Sequence, residues 1–226
     1  MVRDQEVAGS NPAVPTIFYG GKVKRSFSIL LVWSLPFITV LAGAVPTAKK
    51  AADLANTEAK TGGSYRVLRV DGENADSDLR LRQWDITVYS GDRANNAMLV
   101  RLKDGIVVST TSAVRLFDDA RWSNFGRNFS GYSVAEIIQT GRWKLDSPDV
   151  LARVAALPGL EKLQLTDAKM LLRKLSDGDV PAIWHVKVKA RSKIQPGREG
   201  WIGAVDLSAE TGEVIKNNLH SEHLTD

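Results

Sequence analysis

The chain has no cysteine. That excludes disulfide staples, thiolate nucleophiles, Cys-ligated zinc and a lipid anchor attached to cysteine. A chain of 226 residues can bury enough surface to fold without staples, so the absence does not argue against export. Histidine occurs three times, as His185 and as the pair His220 and His223 in the terminal "HSEH". The i,i+3 spacing of that pair suits one helix face, but its setting reads as a solvated tail rather than a metal site. The chain also lacks a His-Glu-x-x-His zinc motif, a Gly-x-Ser-x-Gly nucleophile elbow and a phosphate-cradling glycine loop. No catalytic residue, metal or cofactor is assigned, and the expectation is a non-enzymatic protein.

A strong excess of one charge is missing as well. Of 30 Lys/Arg and 26 Asp/Glu, four and two fall in residues 1–44, which leaves an excess of only +2 over the remainder. That is weak ground for a polyanion partner. Hydrophobic residues at 43% and charged residues at 25% are ordinary globular values.

Apolar runs long enough to cross a membrane are scarce. The one candidate lies in "KVKRSFSILLVWSLPFITVLAGA", which has the three-part layout of a secretory signal. Lys22, Lys24 and Arg25 form its basic start, residues 27–41 its apolar run, and Ala42 and Ala44 the small positions that signal peptidase reads. The expectation is a signal peptide over 22–44, cleavage after Ala44 and a periplasmic or extracellular product. The run is shorter than the roughly 20 residues of a membrane helix; extending it to Val45 leaves an uncleaved membrane anchor as the alternative. Residues 1–21 do not belong to this layout. Their stretch "RDQEVAGSNPAVPTI" resembles the peptide obtained when the end of a transfer-RNA gene is translated. Methionine is absent between Met1 and Met98, so a downstream start needs another codon, and Val23 is well placed for one. A long native leader is the alternative.

Residues 45–64 are small, polar and Gly-ended, and read as a tether or linker with a short helix over 48–60 that lacks a proper apolar stripe. From Tyr65 the period becomes two. "YRVLRV", "LRLRQWDITVYS" and "AMLVRLKDGIVVSTT" alternate and are separated by Asp/Asn/Gly clusters, which predicts a four-strand antiparallel meander over 65–111. The unit extends to 143 through a connection, less regular from 112, in which "SAVRLFDDARW" fits a helix or a strand equally. Ser147-Pro148-Asp149 then reads as a helix start, and "DAKMLLRKL" as a second helix with Ala168, Leu171, Leu172 and Leu175 on one side. Two strands follow, "AIWHVKVKA" and "GWIGAVDLSA", then a turn at Glu210-Thr211-Gly212-Glu213. Residues 218–226 read as a flexible tail. "WDITVY" at 84–89 matches "WHVKVK" at 184–189, and "LVRLKDGIVV" at 99–108 parallels "AVDLSAETGEVI" at 204–215. Either a duplication or the shared grammar of antiparallel strands produces such matches.

"LDSPDVLARV" with "LTDAKMLLRKL", then "PAIWHVKV", then "GAVDLSAETGEVI" resembles the PepSY domain family over residues 144–216, about a third of the chain, with a degenerate earlier copy over 65–111. The resemblance implies an α+β fold, an antiparallel sheet packed against helices, as two PepSY-like, cystatin-like units in tandem. It also implies an extracytoplasmic protein that binds others and inhibits or regulates a peptidase. The family supplies no catalytic residues. This chain departs from its pattern in the number of helical pieces ahead of the strand and in an unusually basic hairpin.

Several side chains are candidates for contact. Lys187, Lys189, Arg191, Lys193 and Arg198 crowd one hairpin, which suits an acidic protein surface or, as the alternative function, an anionic ligand or envelope polymer; the plain reading is a solubilised hairpin that discourages edge pairing. Phe117, Trp122, Phe125, Phe129 and Tyr132 fall within 16 residues, as core of a long connection or, for Trp122, Phe125 and Phe129, as a partner-binding patch. Asp71, Glu73, Asp76 and Asp78 crowd a turn without the order of a calcium loop. His185 alternates with Lys187 and Lys189 on a polar strand face and reads as an ordinary surface histidine. Partners are therefore an envelope protein or peptidase, without nucleic acid.

Overall fold

A computed structural model of the chain describes residues 45–62, 64–90, 97–113, 132, 134–174, 180–195 and 197–225. In chain order these form α1 (Ala48–Glu58), β1 (Val67–Ala75), β2 (Leu81–Tyr89), β3 (Ala97–Lys103) and β4 (Ile106–Ser112), then α2 (Ser147–Ala155), β5 (Leu163–Arg173), β6 (Ile183–Ser192), β7 (Glu199–Ser208), β8 (Val214–Leu219) and a final turn α3 (Glu222–Thr225). The strands make one antiparallel sheet in the order β4-β3-β2-β1-β5-β6-β7-β8, with β1 and β5 joined at its centre. The chain is thus an α+β protein with an eight-stranded antiparallel sheet.

Period-two patterning decides which face is covered. Trp84, Ile86 and Val88 of β2 and Trp184, Val186, Val188 and Ala190 of β6 are all buried in one core, together with Met98, Val100 and Leu102 of β3 and Val205 and Leu207 of β7. Both helices lie on this side. α2 contributes Val150, Leu151 and Val154, and α1 contributes Ala48, Ala51, Ala52 and Ala55. Those four alanines follow the i, i+3, i+4, i+7 spacing of one helix face, and each is fully buried. The expected tether is therefore a core element. Alanine lets the helix approach the sheet closely enough for the Trp84 indole to donate to Pro46 O at 3.0 Å.

Two further expectations are corrected. The helix expected from residue 167 is not formed: residues 163–173 are β5, with Ala168, Met170 and Leu172 buried on alternate positions. The helical spacing of Ala168, Leu171 and Leu172 is coincidental, because Leu171 points to the opposite face. Residues 218–219 complete β8 instead of starting a tail, and Leu224 in α3 packs into the core. A smaller correction concerns α2, whose N-cap is Asp146 rather than Ser147.

The two helix starts are tied to one another. Asp146 Oδ1 accepts from Ser147 N at 2.7 Å and from Lys49 N at 3.1 Å, while Ser147 Oγ accepts from Ala48 N at 3.0 Å. One carboxylate and one hydroxyl thus satisfy orphan amides of both helices, and the negative charge sits where both helix dipoles are positive. The hairpin turns follow their residues. Asp104 and Gly105 both have positive φ (51° and 80°), as the two-residue turn between β3 and β4 requires.

Candidate binding surface

The face of the sheet away from the helices carries the polar side chains. One line of register partners runs across it from Arg101 through Asp85, Asp71, Leu171, His185 and Asp206 to Lys216. Arg101 grips Asp85 with two bonds of 2.8 and 2.7 Å. Arg69 holds Asp71 at 2.6 and 2.7 Å, and burial nevertheless pushes the Asp71 carboxyl above its ordinary value, with Asp85 adding to the rise. His185 Nδ1 lies 2.6 Å from Asp206 Oδ1. A carboxylate only accepts, so opposite an ionised Asp206 the proton sits on Nδ1 and Nε2 faces away from the pair. The surface histidine of the sequence is a half-buried, oriented one, and the signal for it was Asp206, 21 positions later in a strand whose register was not legible.

The basic hairpin is brought together, and three of its five cations already have partners, although only one carboxylate is among them. Lys189 and Arg191 both bind Glu199, each at 2.7 Å, and these two cations pull the Glu199 carboxyl down to about 2. Lys193 Nζ donates to Glu161 O at 3.0 Å. Lys187 is exposed, as is Arg198 in the turn, and neither has an ion pair among the described residues. Trp122, Phe125 and Phe129 lie outside the described residues, as do Phe117, Ala42 and Ala44.

The residue that sequence reading missed is Trp201. Simple alternation along "GWIGAVDL" would put Trp201, Gly203, Val205 and Leu207 on the core side. A bulge changes this: Val188 pairs with Gly203 and Lys189 with Trp201, so Ile202 is the extra residue. Ile202 turns into the core and Trp201 out beside Lys189, 45% exposed. Bulges commonly re-aim a side chain in this way. Gly203 makes the bulge possible, with φ of 119° and a place for a Cβ only 2.1 Å from Asn218 O. Trp201 is the one large aromatic exposed among the described residues.

The remaining candidates do not converge. Asp71 and Glu73 lie on β1, whereas Asp76 caps its own turn by accepting from Asp78 N and Arg80 N and binding the Arg80 side chain. Among the described residues no three His, Asp or Glu side chains are placed to hold a metal ion. A shallow depression of about 370 Å³ lies where the β1–β2 turn meets the start of β5, lined in part by Asp78, Leu79, Leu160, Glu161 and Lys193; it contains none of the side chains around Trp201. The turn of "VDLSAETGEVI" is structural: Ser208 Oγ accepts from Glu210 N and Thr211 N, and Gly212, with φ of 74°, lies against the Arg153 guanidinium. Glu210 then binds Arg142 at 2.8 Å, which clamps the segment entering α2 and lowers the Glu210 carboxyl. No helix among the described residues is long and apolar enough to cross a membrane. Comparison with family models, curated proteins and solved structures finds no match.

Proposed function

We propose that the chain is an exported, non-catalytic PepSY-like protein of two tandem units, which acts by binding a protein partner and restrains an envelope peptidase. Supporting the tandem is a recurring offset. Helix followed by four antiparallel strands occurs twice, and Trp84 and Trp184 occupy the second strand of each set. Each indole donates to a carbonyl two residues ahead of its helix, Trp84 to Pro46 O and Trp184 to Leu145 O. Asp85 faces Arg101 where His185 faces Asp206, and each half has an extra residue in its last strand, Val108 and Ile215.

The observation that carries the binding role is Trp201, exposed on a broad sheet face beside Lys189. A large aromatic among cations is the composition of a protein-contact hot spot, since it presents area at low entropic cost. The alternative of an anionic polymer held by the hairpin fits less well, because Lys189 and Arg191 are both turned onto Glu199 and Lys193 onto Glu161 O, and such a polymer makes no use of the exposed Trp201. The test is retrieval from solubilised cell envelope on the immobilised full chain, followed by proteolysis assays with and without the pure protein. The proposal expects a peptidase to be retrieved and slowed. Retrieval of anionic polymer alone, or proteolysis at an unchanged rate, counts against it.

A further inference from the structure

We propose that the face of β6 and β7 around Trp201 takes one segment of a partner polypeptide, acidic in net charge and carrying an aromatic or aliphatic side chain at its centre. This rests on the protein-binding role above and names the face and the chemistry of what it binds. In the first half of the chain the corresponding face is covered. Thr87 pairs with Leu99 and Tyr89 with Ala97, as Lys187 pairs with Ala204 and Lys189 with Trp201. In the first half, Leu68, Ala97 and Ala113 are buried in a small cluster on this side of the sheet, with Tyr89 and Leu99 packed against them.

What covers them is the chain's own connection. Tyr132 and Ile137 pack onto that cluster, and Ile138 N donates to Val67 O at 2.8 Å, fixing the segment to the edge of β1. Ala97 in that cluster is fully buried, and Thr87 beside it is 4% exposed. In the second half the chain supplies no described counterpart, and the residue at the place of Ala97 is Trp201. The same sheet position is thus sealed by a Tyr- and Ile-bearing segment in one half and left open, with a tryptophan on it, in the other.

Charge defines the rest of the occupant. Lys187 and Lys216 have no ion pair among the described residues, and Lys189 and Arg191 share the single carboxylate of Glu199. Asp206 lies opposite Lys216 and Asp167 opposite Lys189. With Glu199, three carboxylates offset three of these four cations, and the face keeps a surplus of one positive charge. That surplus is centred on Lys187, and Thr87 and Tyr89 do not have it at the matching places. A covering segment must therefore bring a carboxylate along with its apolar side chain, which steers the encounter and fixes its register.

The experiment is selection of a displayed random-peptide library on the full chain, with counter-selection on Trp201→Ser, followed by binding assays with a synthesised enriched peptide. Enriched peptides should be net negative with a Tyr, Phe, Leu or Ile. Trp201→Ser should weaken binding roughly ten-fold or more, as loss of an anchor does, and Lys187→Glu several-fold, at unchanged melting temperature. Peptides that bind Trp201→Ser equally well, no enrichment, or enrichment of basic peptides would overturn the proposal. So would dextran sulfate binding to these lysines without any peptide, or a Trp201-dependent doubling of mass showing that the face pairs with a second copy. Peptide binding without effect on any peptidase leaves the docking face standing and removes the peptidase; a restrained peptidase without Trp201-dependent peptides does the reverse.

Discussion

Asp71 of β1 and Leu171 of β5 face each other across the centre of the sheet, flanked by the pairs Val70 with Leu172 and Gly72 with Met170. The register reads the same from either strand, yet the two central side chains have opposite chemistry. Asp71 is half-buried, and burial raises its carboxyl above the ordinary value even with Arg69 attached. A raised carboxyl binds its proton more tightly in the folded state, so stability falls as pH rises from the ordinary carboxylate range through the raised value. Denaturant unfolding of Asp71→Asn against the parent should therefore show the variant gaining relative stability as pH rises through that window.

Glu199 predicts the opposite trend. Lys189 and Arg191 pull its carboxyl from 4.5 to about 2, so its contribution is complete above 4.5 and is lost as pH falls toward 2. The parent should exceed Glu199→Gln in stability at neutral pH, and the difference should vanish near pH 2. A carboxyl NMR titration should place the Glu199 midpoint near 2.

The two core tryptophans should respond unequally to loss of their N–H. Trp84 Nε1 donates to Pro46 O, whereas Leu145 O accepts from Trp184 at 3.2 Å and also from Trp143 at 2.8 Å. Trp184→Phe leaves that carbonyl satisfied; Trp84→Phe removes the bond to Pro46 O. The first should cost about 1 kcal/mol beyond its lost packing and the second about 2 kcal/mol, read from paired unfolding curves.

Gly203→Ala should be among the costliest single-atom additions. The new Cβ would meet Asn218 O at 2.1 Å on a backbone with φ of 119°, so β7 and β8 must separate or the bulge must reset. A loss of about 3 kcal/mol or more is expected. The Trp201 fluorescence spectrum should move as well, because the bulge holds that indole on the open face.

Much of this sheet was legible, and the misses share a cause. Trp84, Ile86 and Val88, or Trp184, Val186 and Val188, announce their strands because bulky apolar residues alternate with polar ones. β5 was misread because "AKMLLRKL" is apolar at both periods, and only pairing with β1 and β6 on either side selects the strand. The short helix at 48–60 is expected from the sequence, but not its place in the core, because its buried face is alanine, whose small side chain gives a weak apolar signal although it is what a close helix–sheet contact requires. Trp201 was missed because a one-residue bulge reverses the face of everything before it. Pairing of His185 with Asp206 needed a register that no local pattern encodes.

We propose that a partner restrained by this chain docks on the face around Trp201. The direct measurement is titration of solubilised envelope proteolysis with the full chain and, in parallel, with Trp201→Ser. Saturable slowing by the parent is expected, with the variant needing roughly ten-fold more protein for the same effect. Equal slowing by both proteins, or none by either, would contradict it.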